Sequence, residues 1–166
     1  MIRAVQYSAA DLAVDAIVRA ADASLAPLGA ASAALDDAAG PRFRDQRQVQ
    51  APLDAGAAVI TAAGDLAAEF VLHLVLASDE RPTTPDIVRR ALVSAWHRAE
   101  GWGLTTVGAP VNAVAVADLS LETAVRLLID TFHERRPESR FPAELQIIVT
   151  SPTEQALVDS LLGSLR

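Results

Sequence analysis

The chain reads as an α/β protein, with a mixed, mainly parallel central sheet held between helical layers, three layers in all. Three observations predict this. Stretches of strand character alternate with stretches of helical spacing along the sequence. The interior strand candidates are apolar on both faces, as strands inside a parallel sheet are. The helix candidates carry recognisable starting and stopping residues.

Taken in order, Ile2 to Gln6 is a short strand, and Ala16 to Ala20 a second, apolar around its one charge, Arg19. Ser32 to Ala38 is a short helix ending at Gly40, where a C-cap glycine belongs. Pro41 suits the first turn of another helix, running to about Gln50. Ala57 to Ala62 and Phe70 to Ala77 are strands, and Gly64-Asp65 between them supplies turn chemistry. The next helix has Thr84 as N-cap, Pro85 at its first position and Asp86 at the positive end of the dipole. Its apolar face is Ile87, Val88, Ala91, Leu92, Ala95, Trp96 and Ala99, and Gly101 or Gly103 ends it. Thr105 to Ala109 is a strand stopped by Pro110. Ser120 opens a helix with Leu121, Ala124, Val125, Leu128 and Phe132 on one face. Arg135-Arg136 suits a helix C-terminus. Leu145 to Val149 is the last strand, and Ser151-Pro152-Thr153-Glu154 is a capping box that launches the terminal helix. Ligands on such sheets bind beyond the C-terminal strand ends, which here follow Ala20 and Ala109.

At 166 residues the chain has the length of one domain, residues 1–166. Its net charge of −7 argues against a nucleic-acid partner. It leaves room for a single anionic ligand, because helix N-termini and backbone amides hold anions without basic side chains. There is no cysteine, so disulfides and thiolate metal sites are impossible and a reducing cytoplasm is the expected setting. The longest apolar run, Phe70 to Ala77, contains His73 and is far short of a membrane span. The N-terminus, with Arg3 and Gln6, lacks the apolar core of a signal peptide.

The text Val14-Asp15-Ala16-Ile17-Val18-Arg19-Ala20-Ala21-Asp22, followed by Ser24-Leu25 and Asp37-Ala38-Ala39-Gly40-Pro41, resembles the opening of a macro domain, the module that holds ADP-ribose. In that family the text runs roughly V-D-A-I-V-N-A-A-N, a glycine-rich loop, then a helix ending R-A-A-G-P. Ala57-Ala58-Val59-Ile60-Thr61-Ala62-Ala63-Gly64-Asp65-Leu66 is similar to the family's G-x-A-V-x-T-G-A-G-x-L. Phe70-Val71-Leu72-His73 resembles its Y-V-I-H. Arg89-Arg90-Ala91-Leu92 through Trp102-Gly103-Leu104 and Pro110 resemble the helix and strand reading G-L-x-x-V-A-F-P. The resemblance covers nearly the whole chain and implies a macro-like α/β/α fold.

By family position, the resemblance places ligand contacts at Ser8, Arg19, Asp22, Gly29, Ser32, Asn112, Ala113, Val114 and Ala115. The chain departs from the pattern at most of them. Tyr7-Ser8-Ala9-Ala10 stands for a G-D-I-T turn whose aspartate holds the adenine amino group; Asp11 is a carboxylate three residues displaced. The asparagine pair facing the distal ribose becomes Arg19 and Asp22, which either form a new anion or ribose contact or pair with each other. The glycine-rich first loop becomes Pro27-Leu28-Gly29-Ala30-Ala31-Ser32. An alanine forced into a left-handed conformation costs roughly 1–2 kcal/mol, and proline has no amide hydrogen to donate. The second loop, G-T-G-x-x-G in the family, is Asn112-Ala113-Val114-Ala115-Val116-Ala117, whose methyls are expected to crowd a phosphate. A hydrogen bond to a charged group contributes about 1.5–3 kcal/mol, and about 1.4 kcal/mol is tenfold in affinity. Losing three such bonds moves a micromolar site to millimolar or weaker.

No catalytic residue, metal ligand or cofactor is assigned. Ser32 stands where many family members carry an aspartate, and serine is a poor base without histidine beside it. His73 reads as a satisfied core histidine, and His97 and His133 as surface positions. The expectation is a non-catalytic ligand-binding or interaction module with weakened or lost ADP-ribose binding. The rival, which rests on the scaffold alone, is an ADP-ribosyl hydrolase or ADP-ribose phosphate-processing enzyme. A third reading has a smaller or more apolar ligand between Leu28, Val111, Val114 and Val116. An apolar loop without its ligand also fits homo-oligomeric contact.

Overall fold

The computed structural model describes residues 1–135 and 137–165; Arg136, half of the expected helix-end pair, lies outside them. Six strands form one sheet: β1 (Ile2–Gln6), β2 (Ala16–Asp22), β3 (Ala58–Ala62), β4 (Phe70–Ala77), β5 (Thr106–Pro110) and β6 (Glu144–Val149). Their order is β1-β6-β5-β2-β4-β3. Every neighbouring pair is parallel except β3 and β4, which are antiparallel. The sheet is therefore mixed and mainly parallel, as its apolar interior strands predict.

The helices are α1 (Ala30–Ala39), α2 (Pro41–Gln46), α3 (Pro85–Gly101), α4 (Val111–Val114), α5 (Leu121–His133) and α6 (Pro152–Gly163). The larger core lies on the face covered by α3, α5 and α6, and takes in Val18, Leu72, Trp96, Leu128, Ile147 and Val158. The opposite face packs Ile17 and Val71 against Leu35 of α1 and Phe43 of α2. All seven residues of the expected α3 face are buried. Burying a large apolar side chain contributes about 1.5–3 kcal/mol, so this face pins α3 to the sheet. The Trp96 indole nitrogen also donates to Thr131 Oγ1 at 2.9 Å. No helix among the described residues is long and apolar enough to cross a membrane.

Two helix boundaries, one cap and one loop differ from expectation for local reasons. α1 begins at Ala30 rather than Ser32, because Gly29 at φ 88° turns the chain directly into the helix. α2 stops at Gln46, where the Arg47 backbone N–H folds back onto Phe43 O. The capping box forms by half: Ser151 Oγ accepts from the Glu154 N–H, but the Glu154 carboxylate takes the N–H of Thr150, one residue before the cap. The sequence from Val111 to Val114, expected as loop, is the short helix α4. The start of α1 and the short helix α4 shape the rim above the C-terminal ends of β2 and β5.

Candidate functional site

Two adjoining recesses open at that rim. The larger, about 720 Å³, is lined by Gly29, Ala30, Ala31, Thr83, Asn112 and Val116 among others. The smaller, about 230 Å³, lies between Tyr7, Ser8, Ser32, Leu35, Asn112 and Ile148. Ala31 and Asn112 line both, so the two form one bent cleft. Neither lining contains an Asp, Glu, His, Lys or Arg.

The first loop is strapped to β2. The Leu28 N–H donates to Ala20 O at 3.0 Å, and Ser32 Oγ accepts from the Ala20 N–H at 3.0 Å. Gly29 then adopts a left-handed φ that L side chains rarely take, and no side chain caps α1. The Ala33 N–H is the first of the helix to reach back, to Gly29 O. The N–H groups of Ala30, Ala31 and Ser32 have no backbone acceptor among the described residues. These three donors stand at the positive end of a ten-residue helix, the kind of end that holds anions, and Ala30 and Ala31 line the larger recess.

The second loop does not mirror the first. The Ala115 N–H donates to Val111 O at 2.8 Å and the Val116 N–H to Val114 O at 2.9 Å. Both amides are consumed inside the turn. Ala117 closes it at φ 54°, a left-handed conformation held without glycine. Of the methyl-bearing residues of this loop, Ala113, Ala115, Val116 and Ala117 line the cleft and Val114 does not. Val111 and Val114 are buried in the core under α4 and do not line the cleft. Of the apolar set Leu28, Val111, Val114 and Val116, only Leu28 and Val116 reach it.

Arg19 and Asp22 do not pair, and neither lines the cleft. Asp22 Oδ1 accepts from the Ser24 N–H, the Ser24 hydroxyl and the Ala26 N–H at 2.8, 2.8 and 3.0 Å, locking the loop it begins. Arg19 shares a sheet face with its register partner His73 and is fully buried under α1. Its guanidinium grips Asp36 through two nitrogens, at 2.6 and 2.7 Å. Nη1 lies 3.0 Å from His73 Nδ1, and the guanidinium carbon stands 5.6 Å from the centre of the Phe43 ring. Arginine only donates, so His73 Nδ1 accepts and the ring proton sits on Nε2, 2.7 Å from Thr61 Oγ1. Burial, with the positive charges of Arg19 and Arg47 adding to it, drives the His73 pKa down to about 3. His73 is thus a neutral core residue. Arg47 lies 3.6 Å from the same aspartate, its Nε buried without a hydrogen-bond partner.

Of the residues the resemblance singled out, Ser8, Gly29, Ser32, Asn112, Ala113 and Ala115 come together around the cleft. Arg19, Asp22 and Val114 do not. Tyr7, Thr83 and Thr150 line it unforeseen. Tyr7 was legible as an aromatic beside Ser8; Thr83 and Thr150 lie in loops that carry no motif. Asn112 Nδ2 reaches Glu154 Oε1 at 3.3 Å and so ties α4 to α6. Among the described residues no group of three or more His, Cys, Asp or Glu is placed to hold a metal ion.

The family model described as Macro domain matches residues 18–128. An uncharacterized protein of Mycobacterium tuberculosis is 30% identical over 134 residues, which are 81% of this chain and 37% of that protein. The chain thus spans little more than a third of that relative. An O-acetyl-ADP-ribose deacetylase of Escherichia coli is 29% identical over 167 residues, 97% of this chain and 94% of the enzyme. Two solved structures share the fold. A Trypanosoma brucei macrodomain in complex with ADP-ribose superposes with a TM-score of 0.81 at 24% identity, over 98% of this chain and 69% of that one. An Oceanobacillus iheyensis macrodomain with ADP superposes with a TM-score of 0.77 at 20% identity, over 98% and 90%.

Proposed function

The chain belongs to the macro domain family, and from that premise we propose that it is a binding module that holds ADP-ribose or a related nucleotide weakly and performs no chemistry on it. One observation carries the reading. Of the two loops that face the cleft, the first presents three amides without an acceptor at the start of a ten-residue helix, while the second spends those of Ala115 and Val116 on itself. A diphosphate that finds those two amides engaged loses two charge-assisted hydrogen bonds, each contributing about 1.5–3 kcal/mol. From a micromolar starting point, the expected dissociation constant for ADP-ribose is about 0.1 mM or weaker.

The absence of chemistry rests on the lining. No Asp, Glu or His faces the cleft among the described residues. Ser32 Oγ is held by the Ala20 N–H, and Asp22 Oδ1 by its own loop. Neither is placed as a general base within reach of a substrate. A cysteine-free chain of this kind suits a reducing cytoplasm, and residues 1–166 acting as one domain belongs to the same proposal.

Calorimetric titration with ADP-ribose tests the binding claim, and a low-micromolar dissociation constant overturns it. The rival reading draws on the near full-length likeness to the O-acetyl-ADP-ribose deacetylase of Escherichia coli. Incubation with O-acetyl-ADP-ribose, followed by measurement of released acetate, decides between them. Release above the buffer rate that is lost on changing Asn112 to Ala favours the enzyme.

A further inference from the structure

The smaller recess carries a way of holding a base that differs from the pattern of the family. Its volume of about 230 Å³ is about a third of the larger recess's 720 Å³. That suits a bicyclic ring and not a whole nucleotide. Its wall includes Val18, Leu35 and Ile148. On its lip stands Tyr7, 55% exposed, in the position where the family pattern has glycine. An aromatic face holds a stacked base whatever groups the base carries on its edge, and such stacking is worth roughly tenfold or more in affinity.

The edge-reading group is what this recess lacks. A carboxylate accepts from a 6-amino group and repels a 6-oxo group, which is how it discriminates between them. The polar side chains that line this recess belong to Tyr7, Ser8, Ser32, Asn112 and Thr150. Four are hydroxyls, which turn to donate or accept. Ser32 Oγ is engaged by the Ala20 N–H and the Thr150 hydroxyl by Glu154 Oε2. Asp11 is not part of the lining, and its backbone N–H closes the turn onto Ser8 O. The larger recess, which shares Ala31 and Asn112 with this one, brings the free amides of Ala30 and Ala31 to the side where a phosphate attached to the base's ribose would lie.

We propose that the smaller recess is a purine site read by stacking on Tyr7 rather than by a carboxylate, and that it accepts 6-oxo and 6-amino purines alike. The proposal rests on the reading of the cleft as a weak nucleotide site.

Tyr7 is the single tyrosine of the chain, so tyrosine labelled with carbon-13 gives one set of ring signals. The probes are ADP, inosine diphosphate and ribose 5-phosphate, each titrated to millimolar concentration while the ring and the backbone amides are followed by NMR. Both diphosphates shift the Tyr7 ring, with dissociation constants within about threefold of each other, and ribose 5-phosphate does not. Tyr7→Ala weakens both by about tenfold, while Tyr7→Phe stays within about twofold. Amides of Ala30 and Ala31 that move with ADP while the Tyr7 ring stays still overturn the proposal and leave weak nucleotide binding intact. So does inosine diphosphate binding more than about tenfold weaker than ADP. No shift anywhere in the cleft with ADP overturns both readings. The comparison of the two purines uses the unaltered protein, so it decides even where a variant fails to fold.

Discussion

Arg19 and Asp36 meet side-on beneath α1, Nε to Oδ1 at 2.6 Å and Nη2 to Oδ2 at 2.7 Å. Arg19 is wholly buried, and the Asp36 side chain is 14% exposed. A charge placed on a central strand needs its partner inside the protein, and α1 brings one from seventeen residues along the chain. The pair turns the Arg19 position away from the cleft and into the packing of α1 on the sheet.

Removing one partner is therefore worse than removing both. Asp36→Ala leaves a buried guanidinium with His73 as its remaining hydrogen-bond partner and Arg47 nearby, and is expected to lower unfolding stability by about 3–5 kcal/mol. The double change Arg19→Met with Asp36→Leu is expected to recover most of that loss, because apolar residues of similar volume replace buried ion pairs at little cost. Urea unfolding of the three proteins measures it. A loss under about 1 kcal/mol for Asp36→Ala contradicts the pair's structural role.

His73 makes stability depend on pH in a defined direction. Its folded pKa is about 3 against an ordinary 6.5, lowered first by burial and then by Arg19 and Arg47. Between those values the unfolded chain takes a proton that the native protein refuses. Stability is then fully present above about pH 6.5 and falls as pH drops, by at most about 1.4 kcal/mol per pH unit from this group. His73→Gln, which offers a carbonyl to Arg19 and an amide to Thr61, is expected to flatten that slope between pH 6.5 and about 5. Carboxylates titrate in both proteins, so the difference between the two curves is the readout. Parallel curves exclude the assignment.

The sequence is most legible where one residue decides one contact. Thr84, Pro85 and the seven apolar positions after them specify α3 almost without tertiary help, and Ser120 and Ser151 cap their helices as read. The candidate site is less legible because its shape depends on which way side chains turn. Val114 reads as an obstruction, but a single helical turn at α4 rolls it into the core. Asp22 reads as a ribose contact or a partner for Arg19, but the nearest donors to its carboxylate are amides two and four residues on. The partner of Arg19 depends on the packing angle of α1 against β2, which no local motif encodes.

Gly29 and Ala117 both line the larger recess with positive φ, a conformation suited to glycine and not to alanine. A Cβ on Gly29 would stand 3.3 Å from Val116 Cγ1. Gly29→Ala is expected to cost roughly 1–3 kcal/mol of stability, because φ 88° with ψ 164° is a region essentially confined to glycine, and to narrow the recess. Ala117→Gly removes a similar strain, less the roughly 0.5–1 kcal/mol of added unfolded-state entropy, and is expected to be neutral to stabilising by about 1 kcal/mol. Thermal unfolding of both variants checks the pair. Destabilisation by Ala117→Gly removes the argument that the second loop is strained.

A carboxylate returned to the smaller recess should bring back discrimination between purines. Ser8 lines that recess, and its position is the one where the family pattern has aspartate. Ser8→Asp supplies an acceptor of fixed polarity to an adenine amino group, and a hydrogen bond to a charged group contributes about 1.5–3 kcal/mol. ADP binding is then expected to tighten by about tenfold or more, while inosine diphosphate, whose 6-oxo group meets the new charge, weakens or stays level. Calorimetry with both nucleotides on both proteins measures the change in their ratio. The first loop, with its free Ala30 and Ala31 amides, is untouched by the substitution, so a ligand lacking the base should bind the two proteins equally. A ratio that stays near one means that the base does not enter between Tyr7 and Ser8, and places the weak nucleotide contact at the helix end alone.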